Sequence, residues 1–269
     1  MKESKKRLDA ILMERNLVDS REKARRLILA GLVKVRGVNH PKPGMRVSVN
    51  EEIIIDDPGD QYVGRGGRKL AAALDLFRID PSGMLCLDIG SSTGGFTDCL
   101  LQRGAKRIYA VDVGYGQLHY RLRKDPRIII LERFNARYLG SAEVPEPIDL
   151  AVIDVSFISL HLVLQPVIDL LTAQGFVVVL IKPQFEAGRE KVPRGGVIKD
   201  QGTHYEVLED ILRELRKNGW KVLGLMPSPI PGVSGNREYL AYLVRAKSDE
   251  ETELPQVDIR EVVSQAFKE

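Results

Sequence analysis

The sequence predicts an α/β protein in which a mainly parallel, doubly wound sheet follows a small basic α+β module. Three observations predict it. From about residue 68 onward short apolar runs alternate with amphipathic stretches, a glycine-rich turn (SSTGG) directly follows the first of those runs, and positive charge is concentrated in the first 50 residues. At 269 residues the chain has room for two domains of ordinary size. A hydrophobic share of 43% beside 29% charged residues is that of a globular protein and excludes a low-complexity chain. The longest strongly apolar run, Phe176 to Ile181, is far short of the roughly 20 residues a membrane helix needs, and the N-terminus is polar. A cytoplasmic protein without membrane association is expected. Cys86 and Cys99 lie in apolar segments without CxxC or other metal-ligand spacing, which reads as buried, reduced thiols and no metal site.

The elements follow in order. Residues 5–15 (KKRLDAILMER) set Leu8, Ile11 and Leu12 at helical spacing with basic residues opposite, predicting a basic amphipathic helix. Asp19 or Ser20 caps a second helix, REKARRLILA, whose apolar stripe is Ala24, Leu27 and Ile28, and Gly31 stops it. Short strands are expected in LVKVRG, MRVSV and EEIIID. Residues 1–50 hold 13 Lys and Arg against 5 Asp and Glu, a net charge of +8, whereas residues 248–269 hold 7 acids against 2 bases. The positive field therefore belongs to the N-terminal segment, where a polyanion is expected. The Pro, Gly and polar content of DPGDQYVGRGG reads as a linker. Strands are expected at 84–89, 107–112, 128–131, 148–154, 176–182, 220–226 and 238–245. Helices are expected near 67–78, 94–103, 117–124, 159–172 and 202–218. The last two strands are too close for a crossover helix and should pair antiparallel at one edge. This divides the chain into a module at 1–58, a linker at 59–67, a doubly wound domain at 68–247 and an acidic tail with a short helix at 248–269.

The first strand, MLCLDIG, runs into SSTGGF and places Asp88, Gly90, Ser91, Gly94 and Gly95 at a strand-to-helix turn. Glycines there permit a tight turn and close approach of a ligand to the helix N-terminus. The pattern is D-x-G-x-x-x-G instead of G-x-G-x-x-G. The carboxylate of Asp88 would repel a pyrophosphate and welcome a cationic amino-acid moiety, such as that of S-adenosylmethionine, which carries an ammonium and a sulfonium. Asp112 ends the second strand, where doubly wound proteins put an acid that accepts from ribose hydroxyls. Asn135, just past the third, is placed to hydrogen-bond an adenine edge.

Four further residues fall where such a sheet presents its active site. Lys69 follows GRGG at the start of a helix, Asp154 ends the fourth strand, Lys182 ends the fifth after a purely apolar run, and Glu238 begins the last. Buried lysine is rare without a partner, so Lys182 is the hardest of these to explain as packing. The Lys-Asp-Lys-Glu order resembles the tetrad of the FtsJ-like family of RNA ribose 2′-O-methyltransferases, built on the Rossmann-like sheet of class I methyltransferases. The N-terminal segment, with ARRLILAGLVKVRG, resembles the RNA-binding domain named after small-subunit ribosomal protein four. With YVGRGGRKL, DIGSSTGGFTD, DVGYGQL and KPQFEAGR, residues 5 to about 247 resemble TlyA-type proteins, a family known both as ribosomal RNA methyltransferases and as haemolysins. Gly64, Arg68 and Phe134 depart from the family pattern.

The resemblance implies methyl transfer from S-adenosylmethionine, bound by Asp88, Gly90, Ser91, Gly94, Asp112, Asn135 and Asp154, to a ribose 2′-hydroxyl, with cytidine in ribosomal RNA as target. Lys182 would be the base or activating group, brought toward neutrality by burial and by Lys69 as a second cation. Asp154 would orient Lys182, and Glu238 would hold Lys69 or the ribose. The expected RNA contacts are Lys5, Lys6, Arg7, Arg21, Lys23, Arg25, Arg26, Lys34 and Arg36 in the module, Arg65 and Arg68 at the junction, and Arg189 and Arg194 in a glycine-containing basic stretch, Gly188 to Asp200, read as a mobile lid or a solvated loop. His119, His161 and His204 lack metal spacing and are expected to be structural. Two other readings are an RNA-binding or ribosome-assembly protein with an inactive methyltransferase domain, and a membrane-active haemolysin.

Overall fold

The computed structural model describes residues 5–15, 17–18, 20–29, 31–36, 38, 41–55, 61–156, 158–232, 235–246 and 257–268, with Arg189 described by its backbone alone. Asp19, the first residues of the linker and the most acidic part of the tail lie outside them. The chain divides into two compact units, Met1–Gln61 and Tyr62–Glu269.

The first unit runs β1 (Lys5–Arg7), α1 (Leu8–Glu14), α2 (Arg21–Leu29), β2 (Val33–Val35), β3 (Arg46–Ser48) and β4 (Ile53–Ile55). Leu8, Ile11 and Leu12 of α1 pack with Ala24, Leu27 and Ile28 of α2 and with Val33, Val35 and Val47. The first helix is shorter than its sequence pattern, because Lys5–Arg7 is extended and pairs antiparallel with Arg46–Ser48. β2 pairs antiparallel with β4.

The second unit opens with α3 (Gly66–Leu76), β5 (Leu85–Ile89), α4 (Gly95–Gln102), β6 (Arg107–Asp112), α5 (Tyr120–Arg123), β7 (Ile128–Glu132) and β8 (Ile148–Ile153). It continues with α6 (Leu160–Ile168), β9 (Leu171–Ile181), α7 (Pro183–Glu186), α8 (Gln201–Lys217), β10 (Trp220–Pro227), β11 (Tyr239–Arg245) and α9 (Ile259–Phe267). One seven-stranded sheet has the order β10-β11-β9-β8-β5-β6-β7, with β11 antiparallel to both neighbours and the remaining pairs parallel. Its central strands are largely apolar because both faces are covered, with Asp88 in β5 and Asp149 in β8 as the exceptions. Leu87 and Ile89 face α6 and α8, while Cys86 and its neighbours meet α3 and α4. The chain is thus a mixed α/β protein with a doubly wound sheet, as its sequence pattern predicts.

Two elements depart from the pattern. α5 is a single turn, because Gly116 takes a left-handed conformation (φ 70°) and the His119 side chain caps the turn by accepting from Arg121 N at 3.3 Å. β9 starts at Leu171, inside the stretch that reads as helix. Pro166 has no N–H for the last turn of α6, and the strand absorbs the extra residues in a bulge near Gly175, where a Cβ would stand 2.9 Å from Ile148 O.

Candidate active site at the carboxyl ends of the strands

The glycine loop is shaped first by the protein's own packing. Gly90 (φ 83°) follows β5, and a Cβ there would stand 2.3 Å from Asp154 O. Gly94 (φ 97°) caps α4, and a Cβ would meet Leu122 Cδ1 at 2.2 Å. Only glycine satisfies both the left-handed backbone and the space. Ser91 is buried in the same turn.

Asp88 is fully buried, and its Oδ2 accepts from Thr97 Oγ1 at 2.5 Å while Oδ1 has no protein partner. Burial pushes its carboxyl up to about 7, partly offset by the Thr97 hydroxyl. Asp88 therefore lies beneath the loop, where the sequence pattern places it beside the ligand. The folded state binds its proton up to about pH 7 and the unfolded chain only to 3.8, so the stability held by the protonated form is present at low pH and lost as pH rises through that window. Asp88→Asn, neutral at every pH, should gain stability relative to the parent between pH 4 and pH 8 in urea unfolding; parallel pH profiles would refute this.

Asp112 stands at the end of β6 with both oxygens on backbone amides, Ser92 N at 2.8 Å and Gly114 N at 2.7 Å. It staples the loop after β5 to the loop after β6. Asn135 caps a 3-10 turn by accepting from Arg137 N at 3.1 Å and is exposed. Val113 and Tyr115 are largely exposed beside Asp112, and Arg133 stacks on the Tyr115 ring at 4.2 Å. Asp112 ends β6 and Asp154 follows β8, the strands on either side of β5, so the two carboxylates flank the glycine loop.

Two ion pairs complete the edge. Lys182 Nζ lies 2.6 Å from Asp154 Oδ1 and donates to Ser156 Oγ at 2.9 Å. Asp154 Oδ1 makes no well-directed hydrogen bond, so this contact is an ion pair of partial geometry. Lys69 on α3 pairs with Glu238, and the two are only 7% and 4% exposed. The structure thus brings the four residues together as two pairs, Asp154 with Lys182 and Lys69 with Glu238. Gly66, at the start of α3, lies against Phe96, and a Cβ there would be 3.9 Å from Asp154 Oδ2, so α3 begins beside the first pair. Thr97 and Ser156 are partners that sequence reading missed, although each stands within the loop motifs DIGSSTGGFTD and DVSF.

The expected RNA contacts are mostly at the surface. Lys5, Lys6 and Arg7 form the exposed strand β1, and Arg21, Arg25, Arg26, Lys34 and Arg36 are exposed, with Lys23 half-buried. Lys6 pairs with Glu14 at 2.7 Å. Arg7 grips the buried Asp9 with two hydrogen bonds, holding that carboxyl below its usual range, and Arg21 lies 3.5 Å from it. Arg65 is exposed and donates to Pro231 O at 3.0 Å; Arg68 and Arg194 are also exposed.

Residues 62–245 match the FtsJ-like methyltransferase family and residues 6–53 match the S4 domain. The chain is 43% identical over 244 residues to the 16S/23S rRNA (cytidine-2'-O)-methyltransferase TlyA of Mycobacterium tuberculosis, covering 90% of this chain and 91% of that protein. It is 40% identical over 239 residues to Hemolysin A of Brachyspira hyodysenteriae, covering 88% of this chain and 99% of that one. A solved structure of a provisionally named hemolysin from Streptococcus thermophilus superposes with a TM-score of 0.75 at 42% identity, over 97% of this chain and 95% of that one. With two lysine–carboxylate pairs at this edge of the sheet and a family match over residues 62–245 of the second unit, the chain belongs to the FtsJ-like methyltransferases, in the TlyA-type group that carries an S4 domain in front.

Proposed function

We propose that the protein transfers the methyl group of S-adenosylmethionine to a ribose 2′-hydroxyl of cytidine in ribosomal RNA. The observation that carries this reading is the Lys182–Asp154 pair at the ends of neighbouring parallel strands, beside the buried Lys69–Glu238 pair. The relative named as a cytidine-2'-O-methyltransferase of 16S and 23S rRNA supports the target.

When bound, S-adenosylmethionine supplies an electrophilic methyl group on a sulfonium. The chain must supply alignment and a place for the hydroxyl proton. An ammonium has three N–H vectors. Ser156 takes one from Lys182 and Asp154 holds the ammonium as an ion pair, which leaves an N–H for the ribose oxygen. In its amine form Lys182 accepts the hydroxyl proton at Nζ, while Asp154 and Ser156 keep that nitrogen at the strand end. Lys69 contributes positive charge near the developing oxyanion, and Glu238 holds it in place. Asp112 and Asn135 receive the nucleoside of the donor, and Asp154 borders its cationic end. The S4 unit and the exposed cations bind RNA phosphates, where affinity falls with salt.

The test incubates the protein with labelled S-adenosylmethionine and separated ribosomal subunits, then maps the modified nucleotide. A 2′-O-methylcytidine is the expected product; a methylated base, or no labelled RNA, overturns the reading. Among the described residues no helix is long and apolar enough to cross a membrane, and nothing in the site's geometry calls for the haemolysin reading.

A further inference from the structure

Consecutive residues at the start of β11 each grip a different element. Asn236, 3% exposed, brackets the loop between α7 and α8, its Oδ1 accepting from Ile198 N at 3.1 Å and its Nδ2 donating to Gly196 O at 2.8 Å. Arg237 donates to Ala266 O at the end of α9 at 2.6 Å, and its guanidinium lies 4.1 Å over the Phe267 ring. Glu238 pairs with Lys69. The Tyr239 hydroxyl lies 3.0 Å from His204 Nδ1, and His204 Nε2 lies 3.1 Å from Ile198 O. A carbonyl can only accept, so Nε2 carries the hydrogen and Nδ1 accepts from Tyr239. Burial holds the His204 ring below its usual pKa, in keeping with a neutral imidazole.

Ile198 is therefore fixed at both its N–H and its C=O, and its side chain is buried. The same loop supplies Val192 and Gly196 to a groove of about 600 Å³ whose other walls include Ile158, Gln184 and Phe185. Lys182 Nζ stands 5.9 Å from the centre of the Phe185 ring, so the groove opens beside the reactive amine. Arg194 and Lys199 flank the anchored stretch and are exposed. A wall held this way at one end, with cations on either side, suits a polyanion better than a swinging lid does.

We propose that Asn236 is a positioning residue for the RNA substrate: it fixes the wall at residues 191–200, with Arg194 and Lys199, in register with Glu238 and the groove beside Lys182. This rests on the RNA-methyltransferase reading above. Loosening the wall should weaken productive RNA binding and leave donor binding intact, because Asn236 touches neither the loop after β5 nor Asp112.

The test compares full-length Asn236→Ala and Asn236→Asp with the parent chain in three measurements. These are hydrogen exchange of the 191–200 segment, steady-state methylation of the ribosomal subunit that the parent modifies, and calorimetric affinity for S-adenosylmethionine. Asn236→Ala should accelerate exchange in 191–200 and raise KM for RNA about tenfold, with kcat within about threefold and donor affinity unchanged. Asn236→Asp keeps the acceptor for Ile198 N and loses the donor to Gly196 O, and should fall between. An unchanged KM despite faster loop exchange overturns the proposal, as does a joint fall of kcat, donor affinity and melting temperature. Should Asn236→Ala not fold, the surface pair Arg194→Ala/Lys199→Ala decides: a similar rise in KM supports the proposal and an unchanged KM overturns it. A parent chain that methylates neither subunit refutes the proposed function itself, whereas active parent and indistinguishable variants refute only this inference.

Discussion

Lys182→Ala should lower kcat for methyl transfer about 10²- to 10⁴-fold, the usual worth of a positioned proton acceptor, while leaving KM for RNA and affinity for S-adenosylmethionine nearly unchanged. The amine is held by Asp154 and Ser156 and stands at the end of β9, where no other described lysine shares those partners. Lys182→Arg is the sharper variant. A guanidinium keeps the positive charge and can reach Asp154, but it cannot release its proton at any working pH. If Lys182 serves as proton acceptor, Lys182→Arg is as inactive as Lys182→Ala. If it serves only as a cation, Lys182→Arg keeps substantial activity. Single-turnover rates with RNA at saturation distinguish the two, and full activity of Lys182→Ala would sink the mechanism.

Glu238→Ala should be the most destabilising change at the site. It leaves the Lys69 ammonium 7% exposed and without its carboxylate, and breaking a buried pair from one side costs about 3–5 kcal/mol. Replacing both partners, as in Lys69→Met/Glu238→Leu, removes the stranded charge and should restore most of the melting temperature, since apolar side chains of similar volume substitute well for buried pairs. Activity should be lost in the double variant although its stability returns. Urea and thermal unfolding of the methyltransferase unit measure this. A cost below about 1 kcal/mol for Glu238→Ala would show that water reaches Lys69 and that the pair is a surface one.

The sheet was legible because its signals are local. Runs such as VVVLI and LAVI are apolar at every position, as strands buried on two faces must be, and the SSTGG turn marks the first crossing to a helix. Lys182 was legible because an ammonium directly after such a run demands a partner. The pairing of Lys69 with Glu238 spans 169 positions, and only the order of the motifs pointed to it. Lys5–Arg7 read as helix because its charges continue the amphipathic pattern, yet a partner strand about 40 residues on draws it into extended form. Asp88 was read as a ligand carboxylate from its neighbours in sequence; its burial and its bond to Thr97 come from α4 folding back over β5. The clamp of Asn236 and His204 on Ile198 was invisible for the same reason, since each partner lies in a different element.

The antiparallel strand β11 has a consequence for when the enzyme comes into being. Because β11 runs opposite to β9, it enters the sheet at the edge where the parallel strands end, and so brings Glu238 level with the end of β9, Tyr239 pairing with Ile181. The basic S4 unit leaves the ribosome first, and most of the sheet follows, but β9 keeps a bare edge and Lys69 lacks its counter-charge until residues 238–245 have been made and inserted. A nascent chain therefore carries its S4 unit well before its lysine and carboxylate pairs are assembled. Catalytic competence arrives in one late stroke of synthesis, and a chain truncated before β11 has an open sheet edge and no assembled tetrad.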